Sequence, residues 1–157
     1  MTLFPIIQPP TVEVQNELPT YREVKWDFTA NKPVFQDKNP VIVEREEAVL
    51  TWAWKTLHTE RFRYKIYTWN YGCELAALIG QPYTEALKRA EAMRYIRESL
   101  LVNPYITGVE ELDVSFGKKE DDTDKTANGR YAADILHITC RIKTVYGDIQ
   151  LGGDIHV

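Results

Sequence analysis

Apolar residues recur at helical spacing in two places along the chain. In "EREEAVLTWAWKTLHT", Val49, Trp52, Ala53 and Leu57 fall on one stripe, which predicts an amphipathic helix over 44–58. Glu44, Glu46 and Glu47 crowd its first turn and Lys55 and His58 its last, the order the helix dipole favours. "PYTEALKRAEAMRYIRESLLVN" predicts a longer helix, opened by Thr84 or Pro82 and stopped by Pro104. Its expected apolar side is Ala86, Ala90, Met93, Ile96, Leu100 and Leu101. Between the two, "CELAALIG" reads as a short helix ended at Gly80.

Elsewhere the period is two. "YITGVEELDVSF" alternates and predicts a strand. "RYAADILHITCRIKTVYGDIQLGGDIHV" predicts two more, joined at a tight turn around Tyr146-Gly147-Asp148. "VKWDFTANKPVFQ" reads as a short strand with Trp26 and Phe28 on one face, then a turn at Asn31–Pro33, and "KNPVIVE" as another short strand. Residues 1–25, with Pro5, Pro9 and Pro10, predict an extended N-terminal arm. "GKKEDDTDKTANG" has nothing large to bury, so 117–130 is expected to be a mobile loop. Helices separated from an antiparallel sheet define an α+β fold. Two main helices and a short one would pack on a small sheet ending in a three-stranded meander, as one domain over 26–157.

"TERFRYKIYTWNYGCEL", Thr59 to Leu75, is the segment that pattern alone does not settle. Alternation puts Arg61, Arg63 and Lys65 on one side and Phe62, Tyr64 and Ile66 on the other, as in an extended half-buried segment. Gly72 ends it, where the backbone is expected to turn or to approach a neighbour closely. Aromatics interleaved with bases also suit a nucleic-acid clamp or a surface that docks on protein.

Composition weighs on that choice. With 157 residues, 44% hydrophobic and 27% charged, the chain suits one domain with a sizeable core. The net charge of −4 and pI of about 5.4 give little non-specific attraction to phosphates, and the bases are scattered among acids. Cys73 and Cys140 lie in apolar surroundings, which predicts free thiols in a reducing compartment. No basic n-region precedes the proline-interrupted start, and no apolar run is long enough to span a bilayer, so a cytosolic product or a part of a larger particle is expected.

Catalytic motifs are missing from the sequence. There is no phosphate loop, HExxH or GxSxG, and His58, His137 and His156 have no partner at ligand spacing. The acidic loop fails as a calcium site, because counting from Asp124 the third position is Thr126 and the twelfth is Ile135. Glu60 and Glu74 flank the aromatic run and leave open a carbohydrate hydrolase with paired carboxylates.

A distributed set of residues resembles a known family. "WDFTANKPVFQDKNPVIVEREEAVLTWAWKTL", the Thr59-Glu60-Arg61 step, Tyr71-Gly72 and the closing strands are similar to XkdS-like baseplate proteins of contractile tails from Gram-positive prophages. These are relatives of the gene 25 baseplate wedge product of T-even phages. The resemblance spans residues 24–157. The family's Glu-Pro-Arg step after its long helix corresponds to Asn103, Pro104 and Tyr105, of which only Pro104 is kept. The resemblance implies a structural sheath initiator with no catalytic centre, cofactor or metal. It would sit in the virion baseplate in six copies around the tail axis, assembled in the bacterial cytoplasm. Implied partners are the tail sheath protein, baseplate wedge proteins, and tube or hub proteins. Expected contact residues are Arg61, Arg63, Tyr67 and Trp69 on the aromatic run, and Pro104 and Tyr105 after the long helix. Ile149, Leu151, Ile155 and Val157 are expected to lie on a terminal strand that pairs with an arm of the sheath. Trp52, Glu60, Tyr71 and Gly72 are expected to be structural.

Overall fold

The period-two pattern is realised most fully at the end of the chain. The structure, a computed structural model, describes residues 17–117 and 135–156. The expectations for residues 1–16, for the loop beyond Gly117 and for Val157 lie outside the described residues. Strands β7 (Ile106–Gly117), β8 (Ile135–Thr144) and β9 (Gly147–His156) form an antiparallel meander in the order β7-β8-β9. Leu136, Ile138, Cys140 and Ile142 of β8 are buried, as are Val114 on β7 and Leu151 and Ile155 on β9. The alternate residues face solvent and carry charges in pairs: Arg141 with Glu111 at 3.0 Å, Lys143 with Glu110 at 2.7 Å, and His137 with Asp154. One face therefore packs and one is wetted, as alternation requires. A bulge between Glu110 and Asp113, with Glu111 at φ 49°, shifts the β7 register and returns Leu112 to the buried face.

Helices cover the buried face. Helix α1 (Arg45–Leu57) buries Val49, Ala53 and Leu57 as its stripe predicts. Trp52, expected on that stripe, is only half-buried. Buried threonines on α1 satisfy their hydroxyls within the helix: Thr51 donates to the Glu47 carbonyl at 2.9 Å and Thr56 to that of Trp52 at 2.8 Å. A short 3-10 helix (Leu75–Leu78) follows, and Gly80 beyond it has φ +70°. Helix α2 (Glu85–Leu100) is capped by Thr84, whose hydroxyl accepts the Leu87 amide at 3.3 Å. It buries Ala92, Ile96, Ser99 and Leu100, whereas Ala86, Ala90 and Leu101 are exposed. The apolar side expected for this helix is thus corrected: its first turns run beyond the core, and Leu101 already belongs to the turn after it.

The short N-terminal strands are organised around a junction. Strand β1 (Arg22–Val24) pairs with β6 (Ile42–Glu44), β2 (Trp26–Asp27) with β3 (Lys32–Pro33), and β4 (Phe35–Gln36) with β5 (Asn39–Pro40). The stem and two hairpins meet at Lys25, Val34 and Val41. Lys25 N–H donates to Val41 C=O (2.7 Å), Val41 N–H to Val34 C=O (3.0 Å), and Val34 N–H to Lys25 C=O (2.9 Å). This closed ring of backbone bonds satisfies peptide groups that two-residue ladders leave open. The Lys55–Glu23 pair at 2.7 Å, with both side chains largely covered, ties the stem to α1. Strand pairing among the described residues thus includes Arg22–Val24, which lie before residue 26, the expected start of the domain.

The run after α1 departs from expectation. Residues 61–71 form turns rather than an extended half-buried segment, and Phe62, Tyr64 and Ile66 are 55%, 49% and 86% exposed. The inward packing expected for these three is overturned. Among the described residues no strand lies beside the segment to pair with, and Phe62 takes φ +67°, which breaks extended geometry.

Candidate functional site

Two surfaces carry the exposed chemistry of the described residues: the loop after α1, and the outer edge of β9.

The loop is closed at a neck. Cys73 N–H donates to Thr59 C=O at 2.9 Å, and Arg61 N–H donates to Cys73 C=O at 3.2 Å. Gly72 makes the neck possible. Its φ is +100°, and a Cβ there would lie 2.8 Å from the Thr59 carbonyl oxygen and 2.9 Å from Arg61 N and Cα. The Tyr-Gly step predicts a turn or a close backbone approach, and positive φ and close approach occur together. Above the neck Phe62 packs on Trp69 at 5.4 Å, and a separate run of rings joins Tyr64 to Tyr67 at 6.2 Å, Tyr67 to Tyr71 at 4.6 Å, and Tyr71 to Trp52 of α1 at 6.0 Å. Trp69 is 78% exposed. Phe62, Tyr64, Tyr67, Trp69 and Tyr71 line a cavity of about 340 Å³ that also touches Glu60 and Lys65.

The bases of the loop hold its shape. Arg61 Nε donates to the Trp69 carbonyl at 2.9 Å, and its guanidinium lies 4.9 Å from the Phe62 ring centre. Arg63 binds Glu60 at 2.6 Å, and its pKa is raised chiefly by that hydrogen bond. Two of the three bases proposed to clamp phosphate are therefore committed within the loop, and so is one of the two carboxylates of a hydrolase reading. Burial raises the pKa of Tyr71, half-covered between the loop and α1.

Pro104 is exposed near this surface, but Tyr105 is not. Its ring is buried, 4.7 Å from that of Tyr21, and its hydroxyl donates to the Pro19 carbonyl at 2.7 Å. Tyr146 acts alongside, its hydroxyl accepting the Tyr21 amide at 2.8 Å. Tyr105 thus fastens the first described residues to the core, a role that no local pattern indicates because its partner lies eighty-six residues away. Burial, with the charge of Glu23, pushes Tyr21 up to about 12.

The second surface is the β9 edge. The turn joining β8 to β9 has two residues, Val145 and Tyr146, with Thr144 opposite Gly147. A two-residue turn closes on a hydrogen-bonded pair, and bonding alternates from there. Gly147, Ile149, Leu151, Gly153 and Ile155 therefore direct their backbone groups to β8. Asp148, Gln150, Gly152 and Asp154 direct theirs outward, where no strand among the described residues pairs with them. Leu151 and Ile155 are buried and Ile149 is half-buried, so these expected contact residues serve the core. The residues that open the edge are the alternate set, and the turn geometry needed to find them was one residue off in the sequence reading.

Among the described residues, no group of three or more His, Cys, Asp or Glu side chains could hold a metal ion, and no helix is long and apolar enough to cross a membrane. Both thiols are buried and free; burial pushes Cys140 up to about 11 and raises Cys73.

A small α+β domain whose β9 edge has no partner strand among the described residues, with an exposed aromatic loop, is a shape suited to assembly. Residues 22–147 match the family model described as "Contractile injection system sheath initiator", and the chain belongs to that family. It is a structural component of a contractile phage tail, with sheath and baseplate components as its implied neighbours. Over 116 residues it is 29% identical to the phage-like element PBSX protein XkdS of Bacillus subtilis (strain 168), covering 73% of this chain and 79% of the relative.

Proposed function

We propose that this chain initiates the sheath by strand addition at the outer edge of β9. The observation that carries the reading is the alternation along β9, with Asp148, Gln150, Gly152 and Asp154 offering backbone groups that no described strand takes. An unpaired edge on a monomer invites association; on an assembly template it is the working surface. An extended arm of the sheath subunit would add as a fourth strand beside β9. The aromatic loop, with Arg61, Arg63, Tyr67 and Trp69, and the nearby Pro104 would face baseplate wedge or tube proteins. Six copies around the tail axis would present six such edges to the first sheath ring, within a virion baseplate assembled in the bacterial cytoplasm.

Complementation of a deletion tests this reading. Gln150→Pro removes one outward donor and leaves the β8 ladder intact, a place where an edge strand tolerates proline. The variant is expected to fold and to give particles with bare tubes. Gln150→Ala, which keeps the donor, is expected to give sheathed tails. Normal sheaths on Gln150→Pro particles would overturn strand addition at this edge.

A further inference from the structure

Helix α1 runs the length of β9. Its first residue, Arg45, holds its guanidinium 5.5 Å from the ring centre of Tyr146 at the β8–β9 turn, and its last, Leu57, shares a small concavity with Ile155 near the end of the strand. Helix α2 lies over β7 instead, so the two flanks of α1 face different ways. Trp52 looks inboard, onto a groove it shares with Tyr71 and with Val102 and Pro104 just after α2. Trp54, two residues on, lies on the opposite flank, which overhangs the outer edge of β9. The benzene ring of its indole covers Gly153, where a Cβ would lie 2.3 Å from it. Phe28 and His58 pack on the same indole, at 5.0 Å and 4.1 Å between ring centres. Leu50, one turn earlier, shares this flank. Leu50, Trp54, Phe28 and His58 are all only partly covered. The indole N–H finds no acceptor among the described residues, so among them packing alone holds the ring.

Given strand addition at β9, on which this inference rests, a joining strand lies about 4.8 Å from β9. Its alternate side chains point to the helix side. The one beside Gly153 meets no side chain on β9 and comes against the Trp54 ring instead. A second copy of the chain is a poor occupant of this edge. Full antiparallel pairing of two β9 strands sets Asp148 opposite Asp154 twice on the wetted face, and like charges directly opposite destabilise a ladder.

We propose that Trp54, with Phe28 and Leu50, receives the helix-side residues of the joining sheath arm, and that the arm carries a large apolar side chain beside Gly153. Backbone bonds along an edge are alike from one register to the next, so this contact fixes which register forms. Two alanine variants separate the two faces of the edge. At Gly152 a Cβ points to the wetted face, with its nearest neighbour at 3.8 Å. At Gly153 it displaces the indole into the path of the joining strand. Titrated against the sheath subunit of its own tail, Gly153→Ala is expected to raise Kd about tenfold or more and Gly152→Ala to leave it within about twofold. Equal affinities of the two variants overturn the proposal. Fluorine NMR of the unmodified chain labelled with fluorotryptophan, with Trp54 assigned by Trp54→Phe, decides the matter if Gly153→Ala does not fold. On complex formation the Trp54 resonance is expected to shift as the outward β9 amides become protected. Protected amides with an unmoved Trp54 resonance overturn the proposal and leave strand addition standing; unprotected amides remove both. A Trp54 shift that appears on concentrating the free chain also overturns it, because a second copy would then occupy the flank.

Discussion

Strand β8 and the loop over 61–71 look alike as sequences and are opposite as structures. Each alternates apolar and charged residues. In β8 the alternation becomes geometry: Leu136, Ile138, Cys140 and Ile142 are buried, while His137, Arg141 and Lys143 pair with acids on the wetted face. In the loop, Phe62, Tyr64 and Ile66 stay exposed, and Arg61 and Arg63 bond within the loop itself. The cause is the neighbourhood. Strand β8 has a ladder on both sides and two helices over one face, whereas the loop is closed at its neck and has no ladder to join among the described residues. Alternation specifies a strand only when partner strands and a covering layer supply the energy of burial.

The sharpest way to break the contrast is at the neck. Gly72→Val places a side chain against the backbone of Thr59 and Arg61 at φ +100°, so we expect a loss of about 4 kcal/mol or more. Chemical denaturation of the purified variant checks this, and an unchanged midpoint would mean that the neck is not needed. Next in size is the core of β8. Ile142→Ala, at a position with 0% exposure, is expected to cost roughly 2–5 kcal/mol. Ile66→Ala in the loop, at 86% exposure, should stay within about 0.5 kcal/mol. Equal losses at the two positions would erase the distinction between strand and loop.

A smaller effect is expected from pH. Cys140 has an ordinary pKa of 9.0 that burial raises to about 11 in the folded chain. Below pH 9 the thiol is neutral in both states and stability is unaffected. Between pH 9 and about 11 the unfolded chain loses this proton while the folded chain keeps it, so stability falls as pH rises. Tyr21, raised from 10.0 to about 12, extends the same trend. Denaturation midpoints measured across this range should decline, and Cys140→Ser should flatten the earlier part of the decline.

How far the sequence could be read follows from where the information lies. Both helices, Thr84 as one of two caps offered, the three-strand meander and the backbone turn at Gly72 were legible from local pattern. The junction at Lys25, Val34 and Val41 was not, since its strands are too short to show a period and its closure is entirely backbone. Tyr105 is expected as a contact residue from its place in the step after the long helix, and its burial could not be read there because its hydrogen-bond partner, Pro19, is remote in sequence. Trp52 looked like core, but it opens onto the groove beside Tyr71. On β9 the strand is legible, but its apolar set, expected to make contacts, packs against the core. Side chains report which face is buried; only the turn reveals which amides point away from β8.

That distinction supplies the most direct test of the proposed role. Amide hydrogen exchange, resolved by residue, can be followed along β9 in the free chain and in complex with the sheath subunit of its own tail. In the free chain, Ile149, Leu151 and Gly153 should exchange slowly, and Asp148, Gln150, Gly152 and Asp154 rapidly. On complex formation the second set should become protected, in alternation with the first. A stable complex in which those four amides still exchange rapidly would contradict templating of the sheath at the β9 edge.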